Sequence, residues 1–116
     1  MCKLFIQADA NLWTSSTRSL RIDGMVTSIR LENYFWTVLE SIALRDGMNV
    51  PQMITRLYHE SIDAEHDLGN FTSFLRVCCM RYLALKLSGD IPLDENVALG
   101  SLDAQSILKN EGGRLH

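Results

Sequence analysis

Arg18-Ser19-Leu20-Arg21-Ile22-Asp23-Gly24-Met25-Val26-Thr27-Ser28-Ile29-Arg30-Leu31-Glu32-Asn33 decides how this chain folds, because two periodicities meet in it. Residues 18–22 alternate polar and apolar. After Asp23-Gly24, residues 25–31 alternate again, less strictly, with Val26, Ser28 and Arg30 on one face and Thr27, Ile29 and Leu31 on the other. Period two over runs this short means strand. Asp-Gly between two such runs is a strong hairpin signal, because a two-residue turn needs residues that tolerate positive φ. From about Asn33 the period lengthens: Phe35, Trp36, Leu39, Ile42 and Ala43 fall at helical spacings, and Asp46-Gly47 ends the run with a glycine cap.

Working outward, Asn49 reads as the N-cap of a second helix, with Pro51 in its first turn, where a missing N–H costs little. Val50, Met53, Ile54, Leu57 and Ile62 form its apolar stripe, which fades in the polar run Asp63 to Asp67. Asn70 is the next candidate cap. Residues 71–87 make a third helix whose apolar residues go all the way round, so it is expected to be buried on several sides. Arg76, Arg81 and Lys86 are spaced by five on it, so successive charges rotate by about 140° and form no basic stripe. They read as charges snorkelling from a core helix. After Ser88-Gly89 the chain loosens, broken by Pro92, Gly100, Gly112 and Gly113. The expectation there is at most one short helix, capped by Ser101 and covering residues 102–109, with the last few residues disordered. The organisation is an N-terminal extension (1–17), a core (18–67), a third helix (68–88) and an acidic, partly disordered tail (89–116).

The chain has 116 residues, 47% of them apolar and 22% charged, which suits one globular domain and excludes a disordered or collagen-like chain. The net charge of −3 argues at first against a nucleic-acid binder. It is an average, however. Residues 1–87 hold nine basic and nine acidic side chains, and residues 88–116 hold two basic against five acidic, so the whole excess lies in the tail. The three cysteines, Cys2, Cys78 and Cys79, make a poor disulfide framework, and Cys78-Cys79 reads as buried thiols on a helix. His59 and His66 lack cysteines at zinc-ligand spacing and read as surface histidines. No metal or cofactor is expected. No Gly-rich phosphate loop, nucleophile elbow or Ser/His/Asp set is present, so catalysis is not expected either. No apolar run reaches the roughly 18–20 residues of a membrane span, and the N-terminus is too short in apolar residues for a signal peptide. A cytoplasmic protein without a membrane partner is expected.

Strand, amphipathic helix, Gly-x-Asn turn and second amphipathic helix follow one another here, and residues 26–57 resemble the ribbon-helix-helix DNA-binding family. The wider stretch 18–84 is similar to one bacterial subgroup of it. The resemblance rests on Arg18-Ser19, Arg21, Gly24, Thr27-Ser28-Ile29-Arg30-Leu31-Glu32, Phe35-Trp36, Ile42-Ala43, Gly47-Met48-Asn49 and the run from Asn70 to Arg76. It implies a mainly α fold with a short β-ribbon, an intertwined homodimer whose two chains pair their strands. It also implies a sequence-specific transcriptional regulator, a repressor, on double-stranded DNA. Val26, Ser28 and Arg30 would then face the bases, with Arg30 suited to guanine and Val26 to a thymine methyl. The N-terminus of the second helix, near Asn49, Val50 and Gln52, would face a phosphate. Arg18 and Arg21 are either a basic arm on the DNA backbone or simply strand charges. Ile29, Leu31, Phe35, Trp36, Leu39, Ile42, Ile54 and Leu57 are expected in the dimer core.

One feature strains this picture. If residues 18–22 pair with residues 25–31, a symmetric partner makes the sheet four strands, roughly 14 Å across and too wide to enter the groove flat. Either residues 18–22 peel away as an arm, or the sheet binds protein. The rival function is therefore an antitoxin-like or adaptor module on the same fold, engaging a protein through the third helix or the tail. The third helix is expected to pack across the dimer or to join dimers.

Overall fold

The computed structural model describes residues 2–65 and 70–115, the side chain of residue 115 excepted. In chain order it contains a short helix α1 (Cys2–Ile6), a 3-10 turn (Ala10–Leu12), strands β1 (Ser15–Ile22) and β2 (Met25–Glu32), and helices α2 (Asn33–Arg45), α3 (Val50–Asp63), α4 (Phe71–Ser88) and α5 (Ala104–Leu115). The chain is mainly helical with one two-stranded antiparallel ribbon.

The ribbon is a hairpin within one chain. Asp23 (φ 52°) and Gly24 (φ 82°) both sit at positive φ, as the type I′ turn demands. Residues 18–22 are therefore paired rather than free as an arm, in the register Ile22 with Met25, Leu20 with Thr27 and Arg18 with Ile29. β1 also starts earlier than the alternation indicated. Ser15, Ser16 and Thr17 extend it opposite Glu32, Leu31 and Arg30, so the N-terminal extension ends at residue 14 and not at 17. Asn33 secures this end: its backbone N–H donates to Thr14 O (2.9 Å), its Nδ2 to Asn11 O (3.0 Å), and its Oδ1 accepts from Ser16 Oγ.

The inner face of the ribbon carries Leu20, Ile22, Ile29 and Leu31 onto the helices. Trp36, Leu39, Ile54, Leu75 and Cys79 complete the centre of the core, all at most 1% exposed. Burial of this apolar surface is the main stabilising term, at roughly 25 cal/mol per Å². Gly47 (φ 68°) closes α2, and α3 opens with a full capping box in which Asn49 and Gln52 bond each other's backbone N–H. Asn70 precedes α4 but makes no side-chain cap bond. The boundary expected between residues 67 and 68, and His66, lie outside the described residues.

The tail departs from expectation. Its helix is α5, residues 104–115, rather than 102–109, and its N-terminal cap is Asp103, whose Oδ1 accepts from Ser106 N, rather than Ser101. It runs through Gly112-Gly113, and the preceding segment is fastened. Arg45, only 6% exposed at the end of α2, donates Nε to Val97 O (3.0 Å), Nη2 to Asp94 O (2.9 Å) and Nη1 to Tyr82 OH (3.3 Å). Asp46 accepts from Leu99 N and Gly100 N. Between α4 and α5 the tail is irregular apart from a 3-10 turn (Leu99–Ser101), but it is not loose.

Its acids are also engaged by the fold. Glu111 takes Arg81, Glu95 takes Lys86 and Asp90 takes Arg114. A hydrogen bond to the cation holds Glu111 and Glu95 below the usual carboxylate range, and Ser88 and then Arg114 do so for Asp90. Carboxyls lowered in the fold favour folding above the ordinary carboxylate pKa, and lose that contribution as the pH falls through it toward the lowered folded values. The urea midpoint should therefore be flat from pH 7 to about 5 and decline below about 4.5. Glu111→Gln should decline less over the same range, and equal declines in the two chains would show that this pair anchors nothing.

Candidate nucleic-acid interface

In an antiparallel hairpin, directly opposite side chains share a face. Thr17 lies opposite Arg30, Ser19 opposite Ser28, and Arg21 opposite Val26, and all six are exposed on the outer face. Val26, Ser28 and Arg30 thus stand together, with a second row from β1 beside them. The acids at the two ends of this face are already held. Asp23 lies 2.9 and 3.0 Å from His59 Nε2 of α3. Glu32 takes Arg76 of α4 at 2.9 Å, and that hydrogen bond, ahead of a backbone one, holds its pKa below the usual range. Among the described residues Arg30 and Arg21 form no ion pair, although Arg21 Nη1 reaches Gly24 O at 3.3 Å.

The remaining expected contacts divide. Arg18 lies on the opposite face, its guanidinium 4.5 Å from the centroid of the Trp36 ring and 3.1 Å from Glu40. It is engaged there and does not join Arg21 on one surface. At the start of α3, Asn49 N and Gln52 N are taken by the capping box and Pro51 has no N–H, so of the three groups expected to face a phosphate only the Val50 N–H lies outside that box. A cation absent from the sequence reading stands close by: Arg56 shares a shallow groove with Arg21, Pro51, Gln52, Thr55, His59 and the acid Glu60. Residues 52, 55, 56 and 59 fall on one helical face, and that spacing was available in the sequence.

Of the eight residues expected in a dimer core, Ile29, Leu31, Trp36, Leu39 and Ile54 are buried within the single chain. Phe35, Ile42 and Leu57 are half-buried. Leu39, Ile42 and Leu57 line a cavity of about 420 Å³ together with Met53, Tyr82 and Leu85. Cys79 is buried, with Sγ 3.6 Å from Phe35 O, and burial followed by the neighbouring Cys78 pushes its thiol up to about 12. Burial raises Cys78 as well, so neither sulfur is an activated thiolate. No helix among the described residues is long and apolar enough to cross a membrane.

A strand pair presenting alternate side chains outward over two amphipathic helices is the architecture of a ribbon-helix-helix domain, and the family model of that description matches residues 15–83, more than half of the chain. The chain belongs to the ribbon-helix-helix family, whose members are typically non-enzymatic DNA-binding regulators. Among solved structures it is similar to an uncharacterized protein from Bordetella pertussis Tohama I, at 50% identity and a TM-score of 0.92, covering 100% of this chain and 93% of that one. Comparison with curated proteins finds no match.

Proposed function

We propose that this chain is a sequence-specific DNA-binding homodimer, a cytoplasmic bacterial transcriptional repressor that reads the major groove with the outer face of its β1–β2 ribbon. The observation that carries the reading is the charge state of that face. Its flanking acids, Asp23 and Glu32, are held by His59 and Arg76, while Arg21 and Arg30 are left without a carboxylate. Two strands are about 4.8 Å apart, and such a ribbon enters a groove about 12 Å wide. Within one chain the ribbon is two strands wide, and in this reading it enters the groove with no strand of the second copy added to the open edge of β2.

Arg30 suits the O6 and N7 acceptors of guanine, Ser28 donates or accepts, and Val26 meets a thymine methyl. Arg21 and Arg56, along their shared groove, take the flanking phosphates, which set register without reading sequence. The adaptor reading rested on the poor basic charge and on the third helix and tail; with Asp90, Glu95 and Glu111 paired to cations of the same chain, the acids of that tail are already engaged.

Selection from random duplex DNA followed by titration tests the proposal. Arg30→Ala should cost about 1–3 kcal/mol on the selected site and relax the preference at one base pair. Arg56→Ala should weaken all sequences alike and flatten the salt dependence by about one unit of slope. An Arg30→Ala chain with unchanged affinity and preference shows that the ribbon is not the reader.

A further inference from the structure

We infer that the cavity walled by α2, α3, α4 and the tail is a binding site for a small apolar monocarboxylate, its body lying among aliphatic side chains and its acid head taken by Arg56. Ile42 of α2, Met53 and Leu57 of α3, Leu85 of α4, and Ile91 and Leu99 of the tail supply the aliphatic wall. At about 420 Å³ the space falls within the roughly 300–1,000 Å³ of small-molecule sites. It holds about one turn of an α-helix, whose diameter with side chains is about 10–12 Å, so it suits a small molecule better than an element of another chain.

The head group follows from the charges along the wall. Asp46 spends its two oxygens on Leu99 N and Gly100 N. Arg81 is held through two nitrogens by Glu111. That leaves Arg56 and Glu60, both exposed and one turn apart on α3, and neither forms an ion pair among the described residues. The guanidinium of Arg56 is a planar fork that matches a carboxylate. Glu60 beside it repels a second negative charge, which favours a monoanion over a phosphate or a dicarboxylate. Arg56 and Glu60 also line the shallow groove that holds Arg21. One guanidinium thus borders both the apolar cavity and the groove assigned to flanking phosphates. A carboxylate that draws Arg56 to the cavity takes it from the DNA. That last consequence rests on the proposed function; the ligand site itself does not.

Calorimetric titration of the full chain with octanoate, 1-octanol and octylamine, without DNA, tests the site, because the three share a body and differ in the head. Octanoate should bind at millimolar concentration or below, about tenfold more tightly than octanol, with octylamine the weakest. Arg56→Ala should bring octanoate to the octanol value and leave octanol unchanged. Cys78 reports the location, since it is half-buried and lines the cavity. In a Cys2→Ser chain, saturating octanoate should slow alkylation of Cys78 by N-ethylmaleimide several-fold. Absence of octanoate binding, as when a second copy fills the space, overturns the proposal, and so does a Cys78 that octanoate leaves unprotected. Octanol binding as tightly as octanoate, or octylamine more tightly, overturns Arg56 as the partner of the head. On duplex DNA, saturating octanoate should lower the wild-type affinity about as far as Arg56→Ala does and leave that variant's affinity unchanged. Unchanged wild-type affinity with Cys78 protected overturns the competition for Arg56 and leaves the ligand site standing.

Discussion

Trp36→Ala should remove about 4–6 kcal/mol of the chain's stability. Trp36 is 1% exposed at the start of α2, beneath the ribbon. Deleting a buried aromatic side chain costs about 3–5 kcal/mol in lost transfer energy and cavity. Two further contacts go with it: Nε1 donates to Ser16 O at 3.0 Å, and the Arg18 guanidinium lies over the ring at 4.5 Å. The hydrogen bond adds about 1 kcal/mol. A domain of this size has about 5–15 kcal/mol to lose, so this one side chain carries a large share of it. Trp36→Phe keeps most of the packing and the ring under Arg18 but leaves the Ser16 carbonyl without its donor, and should cost about 1–2 kcal/mol. Urea denaturation followed by far-UV circular dichroism ranks the three chains. Wild-type stability in the alanine variant would mean that the ribbon does not rest on this ring.

What was legible in the sequence was what local physics decides. Asp23-Gly24 and Gly47 take positive φ wherever such residues flank regular elements, and Asn49 with Gln52 caps a helix from within its own four residues. The outer face of β2 was legible because period two permits Val26, Ser28 and Arg30 to share a side. The same rule separates Arg18 from Arg21, which differ in parity, so grouping both as contacts to one DNA backbone overlooked a signal already present. Other features are set by partners distant in the chain. Ser15, Ser16 and Thr17 show no alternation, and only their pairing with Arg30, Leu31 and Glu32 makes them strand. Gly112-Gly113 argues locally against helix, but α5 is tied on either side of that pair, by Glu111 to Arg81 and by Arg114 to Asp90, and tertiary anchoring overrides propensity. The capping box that makes Asn49 so readable also uses up two of the three N–H groups expected to hold a phosphate, those of Asn49 and Gln52.

Arg45 was the least legible residue of all, since an arginine in the last turn of a helix reads as a surface charge favoured by the dipole. Instead it is buried, and its partners are the Asp94 and Val97 carbonyls and the Tyr82 hydroxyl. A guanidinium taken out of water needs its donors matched, and here neutral dipoles do most of the matching, with Glu95 acting at one remove through Tyr82 at 3.4 Å. Hydrogen bonds from a charged group are worth about 1.5–3 kcal/mol each, and the desolvation of the cation offsets a large part of that sum. Arg45→Ala, which also leaves the stem volume empty, should therefore cost about 3–4 kcal/mol, and lower Tm by about 10 °C or more. Arg45→Met keeps the stem packing, removes the buried charge and orphans the two carbonyls, so it should cost about half as much. Arg45→Lys keeps the charge but cannot span three acceptors from one ammonium, and should fall between wild type and alanine. A second readout locates the damage. Limited proteolysis of Arg45→Ala should cut within residues 91–101 before any helix is digested, because those residues are joined to the core through Arg45, Asp46 and the buried Ile91. If all three variants melt with the wild type and that segment stays resistant, the Arg45 bonds are ornamental and Asp46 and Ile91 hold the segment without them.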